Sequence, residues 1–156
     1  MRNIAPCLWF DNQAEEAANF YVSVFKNSRV TAISHYGDGM PLPKGTVLEV
    51  SFELNGEDFL ALNGGPIFTF SPAISFVVNC ETQEEIDDLW TKLSADPASE
   101  QCGWLKDKYG VSWQIVPAIL PRLMDSEEPE KRDRLFAALM KMKKLDIAAL
   151  QRAYAG

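Results

Sequence analysis

The side chains in this sequence that could take part in chemistry are few and scattered. Gln114 sits among apolar neighbours in "WQIVP". Its neutral amide both donates and accepts hydrogen bonds, so it suits a carbonyl or hydroxyl partner better than a divalent cation. Glu49, Ser51 and Glu53 share the polar side of "VLEVSFEL". If that side faced a cavity, Glu49 could serve as a general base; a solvated sheet face is the plainer reading. His35 is the only histidine, and one imidazole completes neither a facial metal site nor a triad, which favours a structural or surface role. Asn63 precedes the glycine pair of "LNGGP", where it reaches either a cavity mouth or only its own turn. Cys7, Cys80 and Cys102 have no CxxC spacing and are odd in number, which fits reduced, buried thiols and not a zinc or disulfide framework. No activated nucleophile, carboxylate pair or full metal set is legible.

A chain of 156 residues can bury one domain-sized core without staples. Its formal charge of −7 repels phosphate, which speaks against nucleic acid as a partner. Basic residues from Lys131 to Arg152 are interleaved with acidic ones at helical spacing and read as a solvated helix face. The opening "MRNIAPCLWFD" has no signal-peptide pattern and no window approaches a membrane span, so a cytoplasmic, non-membrane protein is expected.

The elements that must position these residues follow from periodicity. The apolar run 4–10 reads as a strand, and Ala14, Ala17, Ala18, Tyr21 and Val24 as a helix face behind an Asn12–Glu15 cap. Residues 29–37 form a β-branched strand, and 38–45, with two prolines and two glycines, a lid candidate. Residues 46–54 and 59–63 pair across the Asn55-Gly56 hairpin signal. The order then repeats: a strand at 73–79, a Thr82–Glu85 capping box, a helix bearing Ile86, Leu89, Trp90 and Leu93, and strands at 101–106 and 111–116. Laid over the first half at an offset of 69, Tyr21 meets Trp90 and Val24 meets Leu93, which marks two copies of one unit. Beyond Pro117 the period turns helical, with Leu135, Ala138, Leu139 and Met142, then Ile147, Leu150 and Tyr154 after Asp146. The methionines there read as core filler.

Two such units, the second ending in "DKYGVSWQIVP", resemble the vicinal oxygen chelate superfamily of glyoxalases, extradiol dioxygenases and drug-resistance proteins. The stretches "PCLWFDNQAEEAANFYVSVF", "LNGGP", "ISFVVNC" and "CGWLKDKYGVSWQIVP" are similar to its PhnB-like branch, which carries the label demethylubiquinone 3-methyltransferase. The resemblance implies half-barrels enclosing a cavity, commonly in a homodimer, with metal-ligand positions falling at Pro6, Ser75 and Gln114. Proline offers no ligand, serine a weak one and glutamine a neutral one, so no metal and no cofactor are expected. Strand parity in that register assigns Pro6, Leu8, Phe10, Ser75, Val77, Ser112 and Gln114 to the cavity, and Cys7, Trp9, Phe76, Trp113 and Ile115 to the helices. Asn63 joins the cavity list at its mouth.

The expected fold is therefore α+β: paired βαβββ modules at 1–66 and 67–117 forming a curled mixed sheet, with a helical extension at 118–156. The expected function is binding, with or without transformation, of a small apolar or aromatic molecule in a cavity that has lost its metal ligands. Two alternatives stand beside it: a sequestering protein of the drug-resistance kind, and a metalloenzyme drawing on Glu49, His35 and Gln114. The methyltransferase label finds no support, because a nucleotide-binding glycine turn must lead from a strand into a helix and "LNGGPIF" lies between strands.

Overall fold

The computed structural model describes residues 4–156. The chain forms two compact units that meet in sequence between Phe70 and Ser71. The first contains β1 (Cys7–Phe10), α1 (Ala14–Val24), β2 (Arg29–His35), β3 (Val47–Leu54) and β4 (Glu57–Asn63). Its sheet runs β1-β4-β3-β2, with β1 parallel to β4 and the other neighbours antiparallel.

The strict alternation in β3 decides the core of this unit. Val50, Phe52 and Leu54 are buried while Glu49, Ser51 and Glu53 are half-exposed. Phe59 and Ala61 lie opposite Phe52 and Val50 and continue the same face. Onto it packs α1, whose Ala14, Ala17 and Ala18 let the helix approach closely, with Tyr21 stacked on Phe52 at 6.3 Å between ring centres. Burying Phe52 contributes roughly 1.5–3 kcal/mol. The hairpin turns through Asn55 and Gly56, both at positive φ (49° and 82°), the pairing that matches the twist of the strands.

The start of α1 differs from expectation. Asn12 does not cap it; the residue ahead of the helix, Gln13, makes no side-chain cap bond either. Asn63, at the far end of β4, accepts from the Ala14 N–H through Oδ1 at 2.8 Å. The loop at 38–45 is held by an Asp38–Lys44 ion pair of 2.7 Å and by a bond from Gly45 N–H to the Tyr36 carbonyl.

The second unit contains β5 (Phe76–Cys80), α2 (Gln83–Leu93), a 3₁₀ turn (Pro97–Ser99), β6 (Trp104–Lys106) and β7 (Ser112–Pro117). Three helices follow: α3 (Leu120–Met124), α4 (Pro129–Leu139) and α5 (Ile147–Ala155). Its sheet runs β5-β7-β6, with β5 parallel to β7. In both units the first strand therefore pairs in parallel with the last, the architectural form of the repeat seen in the sequence. Neither sheet closes on itself.

The Thr82 cap forms as expected, its hydroxyl accepting from Glu85 N–H at 3.2 Å. Strand 101–106 is shorter than expected because Cys102 and Gly103 sit at positive φ, turning the chain between Gln101 and Trp104. Asp107 is buried and accepts from the N–H groups of Tyr109 and Val111 and from the Trp113 indole, fixing the "DKYG" turn. The helical extension has its own core of Leu135, Leu145 and Leu150 and packs on Val116 of β7. Gln83, at the start of α2, bonds both the Leu145 carbonyl and the Ile147 N–H, tying the extension to this unit.

Candidate functional site

Each sheet has one face covered by its helix and one that is not. In the second unit the uncovered face is the expected one. Phe76 pairs with Trp113 and Val78 with Ile115, and Trp113 and Ile115 are buried. Val77 pairs with Gln114, so these two and Ser75 point the other way. There Gln114 Nε2 donates to Ser75 Oγ at 2.9 Å. Gln114 and Ser75 are half-buried and Val77 is 54% exposed, a large value for valine within a strand. Ser112 follows the same parity but is buried at the β6 edge, opposite Lys106.

In the first unit the parity of β1 is the reverse of the expected one. Leu8 pairs with Ala61 and Phe10 with Asn63, and all four are buried on the α1 side. The uncovered face instead carries Cys7, Trp9, Leu60, Leu62, Glu49 and Ser51. Pro6 is exposed and precedes the strand. The cause is a difference in link length: three residues separate β1 from α1, but only two separate β5 from α2. The offset of 69 aligns the helices, and one extra residue before the helix then flips every side chain of a period-2 strand to the other face. The run "CLWF" is apolar throughout, so its own pattern carries no parity signal.

Asn63 does not stand at a cavity mouth. It is 3% exposed; its Oδ1 caps α1, its Nδ2 donates to the Val47 carbonyl at 3.0 Å, and its own carbonyl accepts from the Tyr36 hydroxyl at 2.6 Å. His35 ends β2 as an exposed residue opposite Val47.

Trp9, which sequence reasoning set against the helix, is the aromatic residue of the uncovered face. Its indole N–H donates to the Gly65 carbonyl at 2.9 Å and its ring meets Phe68 edge-on at 5.0 Å. A side chain at Gly64 would place Cβ within 2.2–2.4 Å of the indole carbons. The glycine pair of "LNGGP" is thus the seat of Trp9, a long-range role that the turn reading does not disclose.

Reading across the sheet, Trp9 pairs with Leu62, Leu62 with Glu49, and Glu49 with Ser34, so the four form one row. Cys7 is exposed and not buried as expected; partial desolvation, and then the nearby charge of Glu49, push its thiol above its ordinary range. That combination keeps Cys7 protonated and poorly nucleophilic. Glu53, on the same side of β3, is held by Arg29 in a two-pronged contact of 3.1 and 3.3 Å. The Glu49 carboxylate has no ion pair or hydrogen bond among the described residues.

The residues do not suit a divalent metal. Ser75 and Gln114 are neutral and bonded to each other, Pro6 has no donor, and no group of three or more His, Cys, Asp or Glu side chains among the described residues could hold an ion. A surface groove of about 500 Å³ lies along the terminal helices, lined by Arg134, Ala138, Lys141, Met142 and Ala153, and contains none of the expected site residues. No helix among the described residues is long and apolar enough to cross a membrane.

Mixed sheets in repeated units, each with one helix-covered and one uncovered face, define an α+β protein built from two like modules. A family model described as 3-demethylubiquinone-9 3-methyltransferase matches residues 2–116, and the chain belongs to this PhnB-like family. It is similar to the structure of a PhnB protein from Bacillus cereus, described as a 3-demethylubiquinone-9 3-methyltransferase, at 42% identity over 74% of this chain and 98% of that one, with a TM-score of 0.63. A protein from Staphylococcus aureus is 30% identical over 74% of this chain and 95% of its own, with a TM-score of 0.35. Protein PA1353 from Pseudomonas aeruginosa shares the fold at 19% identity over 75% of this chain and 97% of its own, with a TM-score of 0.56. Comparison with curated proteins finds no match.

Proposed function

We propose that this protein binds a small apolar or aromatic molecule on an uncovered sheet face, without a resident metal. The observation that carries this reading is the Gln114–Ser75 hydrogen bond. Two positions at which the resemblance places metal ligands hold neutral groups that satisfy each other and still offer the amide oxygen to a guest. Around them the lining is apolar with few polar points, the composition of a small-molecule site.

Methyl transfer, the activity in the family's description, is not part of this reading. Such a reaction calls for a cofactor seat where glycines lead from a strand into a helix. Here the glycines after β4 lead into a loop, and Gly64 and Gly65 are taken up by Trp9. The chain's negative charge disfavours nucleic acid as partner. We assign a second copy of the chain as partner, covering exposed apolar side chains such as Ile74, which is 75% exposed; sedimentation of wild type and Ile74→Asp tests this, with a dimer expected only for the former.

The test of binding is a thermal-shift screen of small aromatic compounds with product analysis of every hit. A ligand at about a hundred times its Kd adds roughly 2.7 kcal/mol of stability, an easily read rise in Tm. Hits whose shift is lost in Gln114→Leu are expected. A stoichiometric divalent ion in purified protein, or no hit across the screen, overturns the reading.

A further inference from the structure

We infer that the row Trp9, Leu62, Glu49 on the uncovered face of the first unit selects a flat aromatic ligand carrying an ammonium group. This rests on the binding reading above, applied to the first unit by itself, and names the chemistry of the guest that its sheet face takes. The electrostatics of the face are asymmetric. Of the two carboxylates that β3 presents there, Glu53 is consumed by Arg29, whereas Glu49 has no partner among the described residues. Glu49 is half-buried on the second strand in from one edge, opposite Leu62 on β4. An ionised carboxylate accepts hydrogen bonds and donates none, so its complement is a cationic donor.

The apolar part of the row sets the rest of the ligand. Trp9 is held by its indole bond to Gly65 and its edge contact with Phe68, which fixes the ring without a rotamer search on binding. Leu60 and Leu62 on β4 floor the space between Trp9 and Glu49. Neighbouring strands lie about 4.8 Å apart, so Trp9 and Glu49, two strands apart, are separated by about 10 Å at their Cα atoms. A bicyclic ring with a two-carbon arm spans that distance, its ring against Trp9 and its ammonium at Glu49. Cys7, whose thiol stays protonated, adds polarisable surface and no competing charge.

The experiment titrates the full chain with three matched probes: 2-(2-naphthyl)ethylammonium, 2-(2-naphthyl)ethanol and 2-naphthylacetate. Calorimetry is expected to show the ammonium binding at least about tenfold tighter than the alcohol, with the acetate weakest. Glu49→Gln is expected to remove that preference while leaving the alcohol within about twofold, and Trp9→Leu to weaken ammonium and alcohol alike. Glu53→Gln, whose carboxylate is already paired, is expected to keep the preference. If the three probes bind equally, or if Glu49→Gln keeps the ammonium preference, the ligand class is wrong while binding itself stands. If no probe binds and the aromatic screen is also blank, both readings fall; if screening hits bind and depend on Gln114 alone, only this inference falls.

Discussion

Gln114 and Ser75 are bonded to each other across the parallel strand pair of the second unit, Nε2 to Oγ at 2.9 Å. Among the described residues neither side chain makes a second hydrogen bond, so the bond sets where each polar group points. Gln114→Leu leaves the half-buried Ser75 hydroxyl without its donor and is expected to cost about 0.5–1.5 kcal/mol in urea unfolding. Gln114→Glu puts a carboxylate at the same place. Weak binding of a divalent ion is the expected gain, read by calorimetry with manganese chloride; heats indistinguishable from wild type would speak against a former ligand position.

Gly64 exists to admit the Trp9 indole. Gly64→Ala brings Cβ within 2.2–2.4 Å of ring carbons, and overpacking of this kind costs about 1–3 kcal/mol. Combining it with Trp9→Ala removes the clash, so the double variant is expected to be more stable than the sum of the single losses. Strict additivity in denaturant melts would show that the two residues do not interact.

Asp107 accepts from the Tyr109 and Val111 backbone N–H groups and from the Trp113 indole. Asp107→Ala orphans a buried indole N–H at a cost of about 1–3 kcal/mol, with a further loss from the turn. Loosening of the buried Trp113 is expected to appear as a red shift of tryptophan emission that Lys108→Ala, in the same turn, does not produce.

The extension is tied down by Gln83, and beside it Asp87 pairs with Lys144. The Lys144 and Gln83 contacts lower the Asp87 pKa. With the folded value depressed, the stabilisation is present above the ordinary carboxylate range and is lost as pH falls through the lowered value. Gln83→Ala is expected to raise amide exchange across 145–155 while leaving β5 and β7 protected. Uniform loss of protection over the whole unit would mean that the extension and the sheet open together.

Burial, followed by Glu85 and Glu81, pushes the Cys80 thiol up to about 11. Since the folded value lies above the ordinary 9.0, its contribution is fully present below that ordinary value and disappears as pH rises through about 11. Wild type is expected to lose stability over this window faster than Cys80→Ala, and native Cys80 to resist iodoacetamide at pH 8.

Much of the fold is readable from local pattern. Alternation in 47–54 places Val50, Phe52 and Leu54 inside, Asn55-Gly56 marks the hairpin, and Thr82 with Glu85 marks the start of α2. The Gln114–Ser75–Val77 face is readable too, because polar and apolar residues alternate on β7. The face of β1 is not, since all four of its residues are apolar and the helix behind it does not fix its register.

What the sequence determined by itself is therefore the set of elements, their repeat and the neutral character of Ser75 and Gln114, all of which follow from side-chain type and short-range spacing. Tertiary structure alone decided which side of β1 meets α1, that Asn63 caps a helix 49 residues away, and that Trp9 rests on Gly64. Those outcomes depend on strand register and on contacts between distant segments, and a one-residue change in a link reverses a face without altering any local pattern.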